Sequence, residues 1–234
     1  MVVASVLAGG SGTRMGTSIP KQYLEIGGLP VIIRSINAFI DNPNVDICTV
    51  SVSADFIDYT KELISRYIKT EKGIFVIEGG KTRSDTLFGV LDFMKEMGLL
   101  ENSIVLTHDA VRPFINDRII DENIEAAKKY GAVNTCVPAV DTMLLSEDGS
   151  FISAVPDRNK LYHAQTPQSF DAKRLYELIK MLPEDVFSGL TDGCSVFTYF
   201  GEKVFLVKGE NYNIKITYPD DIKRALSIIE EYYN

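Results

Sequence analysis

Val2-Val3-Ala4-Ser5-Val6-Leu7-Ala8, running straight into Gly9-Gly10-Ser11-Gly12-Thr13-Arg14-Met15-Gly16 and then Pro20-Lys21, is the stretch on which the reading of this chain turns. The first seven residues are small or apolar and read as a buried strand. Glycines after a strand let the backbone approach a ligand closely, and consecutive N–H groups form a concavity for anions. Arg14 and Lys21 add fixed positive charge beside it. The loop is not a Walker A motif, because no Gly-Lys-Ser/Thr follows. Nor is it a dinucleotide fingerprint, because Met15 stands where the third glycine belongs. An ordinary glycine-rich turn remains the alternative. Against it stands the net charge of −8. An acidic chain that places two cations after its first strand focuses field for an anion there.

Outward from this loop, apolar runs alternate with amphipathic stretches. Residues 45–52, 74–77 and 103–107 read as strands, and 55–69, 84–97 and 117–130 as helices. Such alternation predicts an α/β fold, a Rossmann-like and mainly parallel sheet with helices on both faces. Ligands then bind beyond the carboxyl ends of the strands. Three signals fall there: the first loop, Glu78-Gly79-Gly80-Lys81-Thr82-Arg83, and His108-Asp109-Ala110-Val111-Arg112-Pro113. From residue 133 the pattern changes. Residues 133–145 and 151–155 read as strands around a turn at Glu147-Asp148-Gly149-Ser150, giving a projecting β-arm at about 138–163. Tyr162 to Phe170 reads as a polar loop with a proline turn. Leu190-Thr191-Asp192 reads as a helix cap, and residues 219–233 as a terminal helix. No repeat, low-complexity run or linker interrupts the 234 residues, so a single domain with an arm is expected.

Composition narrows the function. The acidity argues against non-specific nucleic-acid binding, which needs a basic face. No stretch reaches the ~20 apolar residues that span a membrane, and no signal peptide opens the chain. Three separated cysteines, Cys48, Cys136 and Cys194, fit a reduced, cytoplasmic setting and behave as small buried hydrophobes. No Ser/His/Asp or Cys/His nucleophile set is convincing, and His108 and His163 lack partners at metal or triad spacing. Asp109, after a strand, could bind a divalent metal or a sugar hydroxyl, or serve as a cap or ion-pair partner. Lys215, between Ile214 and Ile216, is placed by alternation on the face opposite its neighbours. A phosphate cradle, several cations, one Asp and hydroxyl-rich loops fit phosphoryl or nucleotidyl transfer, where positioning and charge neutralisation dominate. A glycosyltransferase would place metal on an Asp-x-Asp after a strand, and none occurs. A non-catalytic nucleotide-binding protein would have a broken catalytic set, but Arg14, Lys21, Asp109 and Lys215 are all present.

Taken together, Leu7 to Gly16 with Pro20-Lys21, His108-Asp109-Ala110-Val111-Arg112-Pro113, Asp141-Thr142, Asp157-Arg158, Gln165-Thr166-Pro167-Gln168, Leu190-Thr191-Asp192 and Asn213-Ile214-Lys215-Ile216-Thr217 resemble one family. It is that of 2-C-methyl-D-erythritol 4-phosphate cytidylyltransferase and its sister, D-ribitol-5-phosphate cytidylyltransferase. The resemblance implies that CTP and an alditol phosphate give a CDP-alditol and pyrophosphate, with Mg²⁺. It implies that Arg14, Lys21 and Lys215 are catalytic. Leu7, Ala8, Gly9, Gly10, Ser11, Gly12, Gly79, Gly80, Arg83, Thr86 and Asp109 would surround the nucleotide. Asp109, Arg112, Thr142, Arg158, Thr166 and Thr191 would bind the acceptor, and Asp109 the metal. The arm would cross to a second subunit, making a homodimer. Erythritol-type members usually carry Ala-Ala-Arg after the His-Asp. Ala110-Val111-Arg112 and the segment from Val207 to Lys215 look more like the ribitol type, so ribitol 5-phosphate is the expected acceptor and methylerythritol phosphate the alternative.

Overall fold

A computed structural model of the chain describes residues 1–10 and 19–232. Among them, strands β1 (Val2–Ala8), β4 (Ile47–Val52), β5 (Gly73–Glu78), β6 (Ile104–Asp109), β7 (Ala132–Pro138), β8 (Tyr162–Asp171) and β9 (Phe205–Lys208) form one seven-stranded sheet in the order β5-β4-β1-β6-β8-β7-β9. All pairings are parallel except those of β8, which runs against both β6 and β7. Strands β2 (Glu25–Ile26) and β3 (Leu29–Pro30) make a small hairpin of their own. The mainly parallel α/β sheet expected from the alternation is therefore present.

Helices α1 (Val31–Asp41), α2 (Ile57–Tyr67) and α4 (Asp117–Tyr130) cover one face. There Ile36, Phe39 and Ile120 pack with Val6 and Val50 into the larger core. Helices α3 (Arg83–Glu96), α5 (Ala172–Met181) and α7 (Cys194–Tyr199), with the short α6 (Glu184–Gly189), cover the other, around Leu91, Val105 and Phe170. Helix α8 (Pro219–Tyr232) closes a third cluster against β2, with Ile229 and Ala225 on Ile26, Phe114 and Ile216. Local chemistry sets the helix ends. Thr82 and Asp85 form a reciprocal capping box at the start of α3. Asn116 caps α4, which stops at Gly131 in the left-handed conformation.

Two sequence expectations are corrected. The stretch from Tyr162 to Phe170, read as a loop, is most of the ten-residue strand β8. From Gln165 to Ser169 its polar side chains do not face water: Gln165, Thr166 and Gln168 are buried and hydrogen-bonded, so polarity misdirected the reading. Conversely, residues 133–145 and 151–155 are not two long strands. Strand β7 ends at Pro138, and beyond it the arm holds a single antiparallel bridge, Leu145 to Ala154. The turn is as expected, with Asp148 Oδ1 accepting from the N–H groups of Ser150 and Phe151. Among the described residues, residues 140–157 of the arm pair with no strand of the sheet, and their large apolar side chains find no core; Phe151 is 78% exposed and Val140 74%.

The order of strands places a functional site. From β1 the chain moves outward to β4 and β5, then returns to β6 on the other side of β1. Adjacent strands whose connections leave in opposite directions open a crevice at their carboxyl ends. That crevice lies between Ala8 at the end of β1 and Asp109 at the end of β6.

Candidate nucleotide and acceptor site

A cleft of about 310 Å³ opens at that point. Leu7, Ala8, Gly9 and Gly10 form one wall, and Gly80, Arg83 and Thr86 another. Lys21, Asp109 and Lys215 complete the set of expected residues that line it. Gly79 lies just behind: a Cβ on it would come within 3.5 Å of Gly9 Cα, so the two glycine loops abut with backbone against backbone. Ser11, Gly12 and Arg14 belong to residues 11–18, outside the described residues.

Each wall has its own fastening. Thr86 Oγ1 accepts from Gly80 N–H at 3.0 Å and donates to Thr82 O at 2.8 Å, folding the loop onto the first turn of α3. Gln22 Nε2 donates to Ala8 O at 2.7 Å and to Gly10 O at 3.2 Å. That buried amide fixes the exit of β1 against the single 3₁₀ turn Lys21–Tyr23, which carries Lys21 to the cleft. Tyr23 anchors the same turn through a stacked contact with Phe56 and a 2.8 Å hydrogen bond with Thr60.

At the far wall, Asp109 is surrounded by cations. Lys215 Nζ lies 2.8 Å from Oδ2, Arg83 Nε 3.5 Å from Oδ1, and Arg112 Nε 3.7 Å from Oδ2. Burial alone would push the Asp109 carboxyl up. The positive charge of Arg83, Lys215 and Arg112 outweighs burial and holds the carboxyl well below the usual carboxylate range. Arg112 Nε is buried and makes no hydrogen bond among the described residues, although Nη1 donates to Asn213 O at 2.8 Å. Thr166 Oγ1 accepts from Asp109 N–H at 3.1 Å and lies 3.0 Å from His108 Nδ1. His108 Nε2 lies 2.9 Å from Arg112 O, so the tautomer that satisfies both contacts carries its proton on Nε2. Burial pushes this imidazole down to about 4, so it is neutral near pH 7.

Arg112 and Thr166 touch Asp109 but do not line the cleft, and the other expected acceptor residues are not gathered there. Thr142 and Arg158 stand on the exposed arm, where Arg158 Nη1 donates to Val140 O at 3.0 Å. Thr191 is exposed between α6 and α7, on a segment tethered by Ser84 Oγ to Leu190 O and by Gly193 N–H to Gln168 Oε1. Asp192 caps the first turn of α7 through Ser195 N–H, as its sequence context suggests. Gln22, Lys81, Thr82 and Val111 line the cleft but were absent from the sequence-based site. The Glu78–Arg83 loop drew attention to Lys81 and Thr82, and Ala110-Val111-Arg112 to Val111, whereas Gln22 gave no signal at all. Among the described residues no group of three or more His, Cys, Asp or Glu converges to hold a metal.

A cleft lined by glycine backbone, lysines and an arginine around a carboxylate has the chemistry to receive a polyphosphate. The family model for 2-C-methyl-D-erythritol 4-phosphate cytidylyltransferase matches residues 2–231. Solved structures agree. The chain is 30% identical to 4-diphosphocytidyl-2C-methyl-D-erythritol synthase from Anaerococcus prevotii, covering 98% of this chain and 96% of that one with a TM-score of 0.82. It is 27% identical to the 2-C-methyl-D-erythritol 4-phosphate cytidylyltransferase of Francisella tularensis, covering 96% and 97% with a TM-score of 0.79. The Thermus thermophilus protein of that name is also 27% identical, with 98% and 100% covered and a TM-score of 0.70.

Proposed function

Since this chain belongs to the family of 2-C-methyl-D-erythritol 4-phosphate cytidylyltransferase, a family of CTP-dependent nucleotidyltransferases, we propose that it transfers CMP from CTP to 2-C-methyl-D-erythritol 4-phosphate and releases pyrophosphate. One observation carries the site assignment: Lys21, Lys81, Arg83 and Lys215 converge with two glycine loops on the switch-point cleft, where Asp109 is the one acidic lining residue among the described residues. An acceptor phosphate oxygen attacks the α-phosphorus of CTP. The bond from that phosphorus to the bridging oxygen breaks, and pyrophosphate departs with its electron pair. The glycine backbone of 9–10 and 79–80 receives the nucleotide. Lys21, with Arg14, holds the triphosphate and takes up negative charge as pyrophosphate leaves. Lys215 serves the reacting phosphates from the opposite wall. Arg112, whose Nε is ion-paired with Asp109, brings its guanidinium beside that carboxylate to serve the acceptor phosphate.

The donor set suits Mg²⁺. That ion takes one or two carboxylates and completes its shell with waters and substrate phosphates, and Asp109 is the carboxylate that lines the cleft. When bound, the ion would screen the phosphate charges. In this reading the chain works as one nucleotidyltransferase domain in the cytoplasm. The exposed arm delivers Thr142 and Arg158 to the acceptor site of a second copy.

The family match and the names of the relatives support methylerythritol phosphate over the ribitol 5-phosphate expected from Ala110-Val111-Arg112. Val111 does line the cleft, so that departure sits where an acceptor would feel it. Pyrophosphate release is measured with each NTP, Mg²⁺ and either acceptor. Release with CTP and methylerythritol phosphate is expected. Release only with ribitol 5-phosphate would replace the acceptor, and none with either would overturn the reading.

A further inference from the structure

Lys215 has no regular structure to hold it. Residues 213–217 are neither helix nor strand, yet its ammonium sits 2.8 Å from Asp109. What holds this strap is a buried amide. Asn213 is fully buried, and its Nδ2 donates to Thr166 O at 3.0 Å and to Gln165 Oε1 at 3.3 Å. Gln165 Nε2 in turn donates to Glu210 O at 2.8 Å, gripping the strap three residues earlier. The grip is tight: a Cβ on Gly209 would fall 2.2 Å from Gln165 Oε1. Beyond Lys215, Ile216 N–H donates to Val111 O at 2.9 Å, and the Ile216 side chain is fully buried. Lys215 is thus suspended between two fixed points, Asn213 bonded to Gln165 and Thr166 of β8 and Ile216 bonded to Val111 after β6. Thr166 joins both sides of the site, because its carbonyl takes Asn213 and its hydroxyl takes Asp109 N–H.

The geometry points to Asn213, backed by Gln165, as the positioning residue that sets Lys215 against the reacting phosphates. The inference rests on the role given to Lys215 above. A lysine on a loose strap samples many positions, and placing a charge correctly before reaction is a large part of transfer catalysis. Asn213 itself touches no reacting atom, so its effect passes through Lys215.

A double-mutant cycle tests this. Lys215→Ala, Asn213→Ala and the double variant are compared for kcat, for the CTP dissociation constant measured without acceptor, and for Tm. Lys215→Ala is expected to lower kcat strongly. Asn213→Ala should lower it by about tenfold or more with a smaller change in CTP affinity. In the Lys215→Ala background Asn213→Ala should cost less than about twofold, because residues acting as a unit are not additive. Multiplying losses, or a wild-type kcat in Asn213→Ala, would overturn the proposal. A wild-type kcat in Lys215→Ala would instead overturn the role of Lys215 itself. Should Asn213→Ala not fold, Gln165→Ala loosens the same grip from the other side; it must lower kcat, and an unchanged kcat refutes the proposal equally.

Discussion

Gly80→Ala puts the close packing of the nucleotide wall to a quantitative test. A Cβ at this position would lie 2.2 Å from Asp85 Cβ, 2.7 Å from Asp85 C and 2.9 Å from Thr86 N. These are backbone or near-backbone atoms of the first turn of α3, so no side-chain rotation relieves the clash. Overpacking of this kind costs about 1–3 kcal/mol. Moving the loop away would also strain the Gly80 N–H to Thr86 Oγ1 hydrogen bond, worth about 1 kcal/mol. The sum is about 3 kcal/mol, which for a chain of this length lowers Tm by on the order of 10 °C. Gly10→Ala is the control, because a Cβ there meets nothing within 4 Å among the described residues. It should leave Tm unchanged yet weaken CTP binding by about tenfold, since the methyl stands where backbone must meet ligand. Calorimetric melting with titration of CTP separates the two. A Gly80→Ala protein melting within about 1 °C of wild type would refute the reasoning, because the loop would then be free to yield.

Lys21→Ala should lower kcat by about 10²–10³-fold and change the KM for CTP only a few-fold in steady-state assays, as for a group acting in the transition state. Loss of CTP affinity with kcat intact would count against that role. Mixing inactive Arg14→Ala and Arg158→Ala subunits should restore part of the activity if the arm serves its neighbour. A mixture as inactive as either parent, after proven subunit exchange, would sink the shared site. Burial pushes the Cys48 thiol up from its ordinary 9.0 to about 12. The folded protein therefore keeps a proton that the unfolded chain releases above pH 9. This contribution to stability is complete below pH 9 and is lost as pH rises toward 12. Between pH 8 and 10, urea unfolding should show Cys48→Ala losing about 1 kcal/mol less stability than wild type. Identical losses would mean that the thiol titrates alike in both states.

The parallel half of the sheet was legible because each strand is an apolar run and each following helix repeats its apolar face. Val2–Ala8 and Asp117–Tyr130 lie where periodicity places them. Strand β8 was hidden because a strand inside a sheet hides its polar atoms by pairing them, and no local pattern announces that Gln168 will meet Asn134. Helix α1 went unread although its apolar residues fill the core, lying between a short hairpin and Asn42-Pro43. Within the site, residues whose chemistry is visible in their own side chains were found: Lys21, Arg83, Asp109, Lys215. The residues that hold them are amides and an imidazole, Gln22, Asn213 and His108. Their importance lies in long-range partners such as Asn213 with Gln165 and Thr166.

The reversed direction of β8 has a consequence for how such a protein can change. Because β8 opposes β6 and β7, both roots of the arm, Pro138 and Tyr162, emerge on the rim that carries the cleft. Everything between them can lengthen, shorten or be exchanged without altering one pairing in the sheet. The part that makes and breaks bonds is thereby insulated from the part that reaches outward. If the arm serves the acceptor site of a second copy, as proposed above, grafting arms between relatives would exchange acceptors and leave the nucleotide half untouched.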